Sequence, residues 1–207
     1  MMKKWIVVAA LIGASAIATG CKKASPTSVA PNSQTPVSAV VSRPKVAIPA
    51  NWRPASPELV TFIQQKNRNL SLDTVSKIAQ AMEFYSEHYG IHVSLLAGLI
   101  ARESSFYPNA ISKSGAQGLG QIMPVLASDL ELTNVFDVHE NLEGTSRWLR
   151  KLYDVWVRDG VSQDDAIAWA LASYKQGLTR TRESGIAPKT ADYINDIYAI
   201  AAQVPSN

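Results

Sequence analysis

An all-α fold is predicted by three observations. Apolar residues recur at spacings of three and four along most of the chain after residue 57, residues suited to helix ends bracket those runs, and no alternating run occurs outside the N-terminal leader. Ser56-Pro57-Glu58 supplies a capping hydroxyl, a first-turn proline and an acid, so a short helix starts there with Leu59, Phe62 and Ile63 as its apolar face. A second helix is predicted from about Leu72 to Tyr89 on the spacing of Val75, Ile78, Ala79, Met82 and Tyr85, with Gly90 placed for a left-handed cap. Ser94 to Glu103 is almost wholly apolar until Arg102, the pattern of a buried helix. Residues 104–122 hold Pro108, Gly115, Gly118 and Gly120 and read as a loop. Further helices are predicted near 124–131, 140–158, 163–175 and 190–203, and Ser162 with Asp165 forms a variant capping box at the third of these.

Two segments precede the helices. Lys3 and Lys4 lead into Trp5 to Ala18, 14 charge-free apolar residues. That run is shorter than the roughly 20 residues a bilayer span takes, and has the proportions of an export signal. Ala18-Thr19-Gly20-Cys21 resembles the end of a bacterial lipoprotein signal, which would make residues 1–20 the signal and Cys21 the lipidated N-terminus. Ala18 stands where that pattern more often has Leu, and an ordinary secretory signal beside an incidental cysteine is the alternative. Either way the chain is expected to be exported. Lys22 after Cys21 resembles outer-membrane sorting, which places the protein on the periplasmic side of the envelope. Residues 21–57 hold seven of the 11 prolines among Ser, Thr, Val and Ala, and are expected to form a disordered tether. Extended, residues 22–57 would reach about 110 Å, and as a coil roughly 35 Å.

Composition narrows the function. With 207 residues, 46% hydrophobic and 18% charged, the chain can bury a core. One cysteine excludes an internal disulfide and a thiolate-rich zinc site. The formal charge is +3, but residues 1–57 carry seven bases and no acid, leaving 13 bases against 17 acids, a net of −4, in residues 58–207. An acidic body argues against nucleic acid as a partner. His88 and His92 are four apart, yet Gly90 between them breaks the common helix face, so no metal and no cofactor is expected. Ser104 and Ser105 have no recognisable histidine partner for a serine hydrolase.

One residue stands out on burial grounds. Leu95 to Ala101 delivers Glu103 at the end of a nearly apolar helix, and a carboxyl in apolar surroundings keeps the proton a general acid needs. Alone, a glutamate at a helix end is more often a solvated side chain. The sequence that follows changes the weighing. Glu103-Ser104-Ser105-Phe106 leads into Gly115-Ala116-Gln117-Gly118-Leu119-Gly120-Gln121-Ile122-Met123-Pro124, then an Asn141-Leu142 helix start, then Ala172-Ser173-Tyr174-Lys175-Gln176-Gly177, then Tyr193.

With these motifs in order over roughly residues 75–200, the sequence resembles the soluble lytic transglycosylases, relatives of goose-type lysozyme that cleave bacterial peptidoglycan. The resemblance implies a lysozyme-like helical domain over residues 58–207 with a groove for the glycan. Glu103 matches the family's single catalytic acid. It implies protonation of the oxygen between N-acetylmuramic acid and N-acetylglucosamine, then removal of the muramyl 6-hydroxyl proton, giving a 1,6-anhydro end. Ser104, Gln121 and Met123 match substrate-contacting positions, and Tyr174 and Tyr193 match hydroxyls that line the groove and hold the acid. Two positions depart from the pattern. Gly120 replaces a usual Met, which implies a missing wall contact, and Lys175 replaces a usual substrate-binding Asn with a charge that can still donate.

Most glycoside hydrolases use two carboxylates about 5–9.5 Å apart. Residues 104–128 contain no Asp or Glu, which favours the single-carboxylate route, unless Asp129, Glu131 or Asp137 folds back. Two alternatives stay open on the sequence: a peptidoglycan-binding module without turnover, and a goose-type muramidase that hydrolyses. The expected partners are peptidoglycan strands, the membrane through Cys21, and a cell-envelope machine.

Overall fold

Residues 46–205 are described by the computed structural model. The signal segment 1–20, Cys21 and the tether as far as residue 45 lie outside the described residues. Eight helices are present among them: α1 (Pro57–Lys66), α2 (Leu72–Tyr89), α3 (Val93–Ser104), α4 (Pro124–Asp129), α5 (Val138–Arg158), α6 (Gln163–Gln176), α7 (Leu178–Ser184) and α8 (Pro188–Ala201). The only sheet-like pairing in this region is two isolated bridges, Ile111 with Gln117 and Gln117 with Ile122, within the loop before α4.

Helix ends follow local chemistry. Ser71 caps α2 by accepting from the Thr74 amide at 3.2 Å, and Gly90 closes it in the left-handed conformation at φ 62°. The Ser162 hydroxyl accepts from the Asp165 amide at 3.2 Å and donates to its carboxylate at 2.7 Å, the reciprocal box expected at α6. α5 starts earlier than expected because Asp137 caps it, accepting from His139 and Glu140 amides at 2.9 and 3.0 Å. Asn141 is therefore inside the helix, not at its start. α7 was not expected: it follows Gly177 with no side-chain cap, and Thr181 is its one buried residue.

The segment expected to complete the tether is instead docked on α2. Trp52 packs edge-on against Phe84 with centroids 4.9 Å apart, and Gln80 Nε2 donates to the Arg53 carbonyl at 3.0 Å. Ser56 does not cap α1; its amide and hydroxyl both donate to Glu83 Oε1, at 3.0 and 2.5 Å. Polar side chains of α2 thus satisfy a proline-rich stretch that has few backbone donors of its own.

The core lies where α2, α3, α5, α6 and α8 meet, with Ile78, Met82, Leu96, Leu99, Ile100, Leu149 and Leu171 fully buried. α5 also carries a buried charge pair. Arg147 Nε is 2.9 Å from Glu143 Oε1, which accepts from the Tyr89 hydroxyl at 2.5 Å, and Arg147 Nη2 donates to the Leu130 carbonyl at 2.7 Å. Burying two charges is tolerable only with such added hydrogen bonds, and these tie α2 and the end of α4 to α5.

Candidate active site

Glu103 sits in the last turn of α3, half-buried. Its partner comes from the other end of the chain: the Tyr193 hydroxyl of α8 donates to Glu103 Oε1 at 2.5 Å. The contact needs α3 and α8 to lie close together, and Gly98 permits it. A Cβ at that position would stand 2.5 Å from the Ile197 carbonyl oxygen and 3.3 Å from Ala201 Cβ. The small residue that makes α3 read as merely apolar is what brings Tyr193 to the carboxyl.

Beyond Glu103 the chain turns sharply. Ser105 and Phe106 both adopt left-handed conformations, φ 51° and 61°, each costing about 1 kcal/mol or more for a residue with a side chain. α1 holds the turn in place: Asn67 Nδ2 donates to the Ser105 carbonyl at 3.0 Å, and Phe62 packs edge-on against the buried Phe106. The loop that follows is fastened by α5 and α6. Asn141 Oδ1 accepts from the Gly120 amide at 2.7 Å, its Nδ2 donates to the Val135 carbonyl at 2.7 Å, and the Tyr174 hydroxyl donates to the Gly120 carbonyl at 2.6 Å.

This places each expected site residue. Tyr193 holds Glu103; Tyr174 holds the loop rather than the carboxyl, and both are close enough to Glu103 to feel its charge. Burial first, and the Glu103 carboxylate second, push both phenols well above the usual tyrosine range, so they remain donors. Ser104 turns its hydroxyl back to the Ile100 carbonyl at 3.3 Å. Gln121, at φ 53°, spends its amide nitrogen on the Ala110 and Gly118 carbonyls, at 3.2 and 3.0 Å. Met123 is exposed just ahead of α4. The Lys175 ammonium lies 4.8 Å from the Tyr193 ring centroid, and the Arg102 guanidinium lies 5.5 Å from it.

Gly120 has a different meaning from the missing wall contact expected of it. A Cβ there would meet the Thr145 hydroxyl at 2.0 Å, so the position faces α5 and is filled by Thr145. Asn67 and Thr145 had no signal as site residues in the sequence, because each acts through a contact distant along the chain, and Asn141 was marked there only as a helix start.

Of the carboxylates that could have folded back, one is engaged elsewhere and two are exposed. Asp137 caps α5 and lies 3.6 Å from Lys77, and Asp129 and Glu131 are exposed. The two histidines are likewise occupied: His88 stacks on Phe84, and His92 caps α3 by accepting from the Ser94 amide at 3.3 Å.

Known proteins place this arrangement in a family. A family model for the transglycosylase SLT domain matches residues 80–197, which contains Glu103, the fastened loop and Tyr193. The chain is 32% identical over 94 residues, 45% of its length, to membrane-bound lytic murein transglycosylase F of Marinobacter nauticus, and 39% identical over 69 residues, 33% of its length, to the transglycosylase of Enterobacteria phage PRD1. The matched stretches span 18% and 26% of those relatives. The fold is similar to the 70 kDa soluble lytic transglycosylase of Escherichia coli, with a TM-score of 0.52 and 19% identity over 70% of this chain and 29% of that one. It is also similar to an inactive glutamate-to-glutamine mutant of the lytic transglycosylase Slt of Pseudomonas aeruginosa, with a TM-score of 0.51 and 19% identity over 58% of this chain and 22% of that one. With more than half of its residues inside the family model, the chain belongs to the transglycosylase SLT domain family.

Proposed function

We propose that the chain is a peptidoglycan lytic transglycosylase in which Glu103 acts alone as acid and then as base. The observation that carries this reading is the hydrogen bond from the Tyr193 hydroxyl to Glu103 Oε1 at 2.5 Å. Glu103 gives its proton to the oxygen between N-acetylmuramic acid and N-acetylglucosamine as the bond to C1 breaks. The carboxylate then takes the proton of the muramyl 6-hydroxyl while that oxygen bonds to C1. The proton count closes, no water is consumed, and a 1,6-anhydro end is left. With a single carboxylate, the substrate's own hydroxyl takes the place of the second group that most glycoside hydrolases supply. Ser104, Gln121, Met123 and Tyr174 are the candidate substrate contacts in this reading. Names of relatives add support: several are membrane-bound lytic murein transglycosylases, and one solved relative is an inactive glutamate-to-glutamine mutant.

The same reading places the protein outside the cytoplasm, on the periplasmic face of the outer membrane, anchored by a lipid on Cys21 and serving a cell-envelope machine. Among the described residues no helix is long and apolar enough to cross a membrane.

Mass spectrometry of purified peptidoglycan digested with the chain tests the reaction. Anhydromuramyl ends, one water lighter than reducing ends, are expected, and Glu103→Gln should fold normally while losing cleavage by at least about a hundredfold. Reducing ends would mean hydrolysis, and binding without products would mean a wall-binding module.

A further inference from the structure

We propose that Lys175 is a positioning residue that acts on Glu103 through Tyr193; the inference rests on the reaction proposed above. Its ammonium is 4.8 Å from the centroid of the Tyr193 ring, and the Tyr193 hydroxyl is the donor on Glu103. The face of an aromatic ring is electron-rich and attracts a cation, so the lysine holds the ring by its face while the hydroxyl is held at its edge. The ring is 2% exposed and the lysine above it is exposed, so Lys175 also covers the phenol from solvent. A cation over the face withdraws density from the phenol and makes its O–H a stronger donor.

The second cation near the ring is differently committed. Arg102 lies 5.5 Å from the centroid with its Nε 3.0 Å from Asp196 Oδ2, and its charge acts on the Tyr193 phenol as well. Among the described residues Lys175 forms no ion pair, and its ammonium stands nearer the ring than the Arg102 guanidinium does. It stands in the last turn of α6, where a positive charge is also favoured by the helix dipole. α6 thereby reaches the α3–α8 pair with a contact that Gly98 alone does not provide, fixing the rotation of a ring whose helix is already in place. The lysine thus supplies an electrostatic hold on the acid where the family pattern has a neutral amide.

Three variants of the full chain, assayed on purified peptidoglycan by release of anhydromuropeptides, test this. Lys175→Met keeps length and removes charge; it should lower kcat about five- to thirtyfold with KM within twofold. Lys175→Arg should stay within about threefold of the parent. In a Tyr193→Phe background, Lys175→Met should add less than twofold, because the bond through which it acts is gone. A rise in KM at unchanged kcat would make Lys175 a substrate contact and overturn the proposal, as would an undiminished effect in the Tyr193→Phe background or no effect at all. A readout independent of turnover separates this from failure of the reaction itself. With carbon-13 at the tyrosine Cζ and glutamate Cδ positions, the Tyr193 and Glu103 signals should both move in Lys175→Met and largely return in Lys175→Arg. Unmoved signals would overturn the proposal even in a chain that cleaves nothing.

Discussion

The Tyr193 hydroxyl donates to Glu103 Oε1 at 2.5 Å across 90 residues of sequence, and no other contact ties the end of α3 to the family's late tyrosine so directly. The bond fixes one carboxyl oxygen and leaves the other for chemistry. Hydrogen bonds to a charged group contribute about 1.5–3 kcal/mol, so Tyr193→Phe should lower kcat roughly ten- to a hundredfold while the chain stays folded. Because burial and Glu103 raise the phenol above its ordinary value of 10.0, Tyr193 should contribute no alkaline limb to the pH–rate profile below about pH 10. A tyrosine-dependent fall in rate near pH 8 would contradict the geometry.

Close approach of α3 and α8 should be testable at Gly98. A methyl there meets the Ile197 carbonyl at 2.5 Å, and backbone cannot move aside as a side chain can. Gly98→Ala is expected to destabilise the chain by about 1–3 kcal/mol in urea denaturation, and to weaken activity beyond what the loss of folded protein explains. Unchanged stability would show that the two helices are not seated as described.

Gly120 and Thr145 should behave as a coupled pair. The Cβ of Gly120→Ala would lie 2.0 Å from the Thr145 hydroxyl and 3.0 Å from Thr145 Cβ. Thr145→Ala removes the tighter clash, so the double variant should recover part of the stability that Gly120→Ala loses, with a coupling above about 0.5 kcal/mol in thermal or denaturant melts. Additive losses would mean that position 120 opens toward the groove after all.

His139 should make stability depend on pH. Its Nδ1 is buried without a hydrogen-bond partner, and burial, then the nearby Lys77, lowers its proton affinity below the ordinary value of 6.5. The unfolded chain therefore binds a proton at a pH where the folded chain does not. Stability from this group is complete above about pH 6.5 and is lost as the pH falls toward its folded value. Melting temperatures should drop more between pH 7.5 and 5.0 in the parent than in His139→Gln; equal drops would remove His139 as the cause.

What the sequence determined by itself is local or ordered along the chain. Helix spacing set α2 to Leu72–Tyr89 with its glycine cap, and the reciprocal hydrogen bonds of Ser162 and Asp165 opened α6, because both depend on residues within a turn or two of each other. The order of motifs pointed to Glu103 and Tyr193 and to the family. Tertiary structure decided what those motifs do in space. Gly98 has its role only through α8 packed against it, and Gly120, expected to leave a wall contact missing, faces Thr145. Asn141, expected at a helix start, is a buried amide fastening the loop, and Glu143 and Arg147 are buried on Tyr89 and the Leu130 carbonyl. Spacing along one helix says which residues share a face; only packing against a second helix says what that face meets.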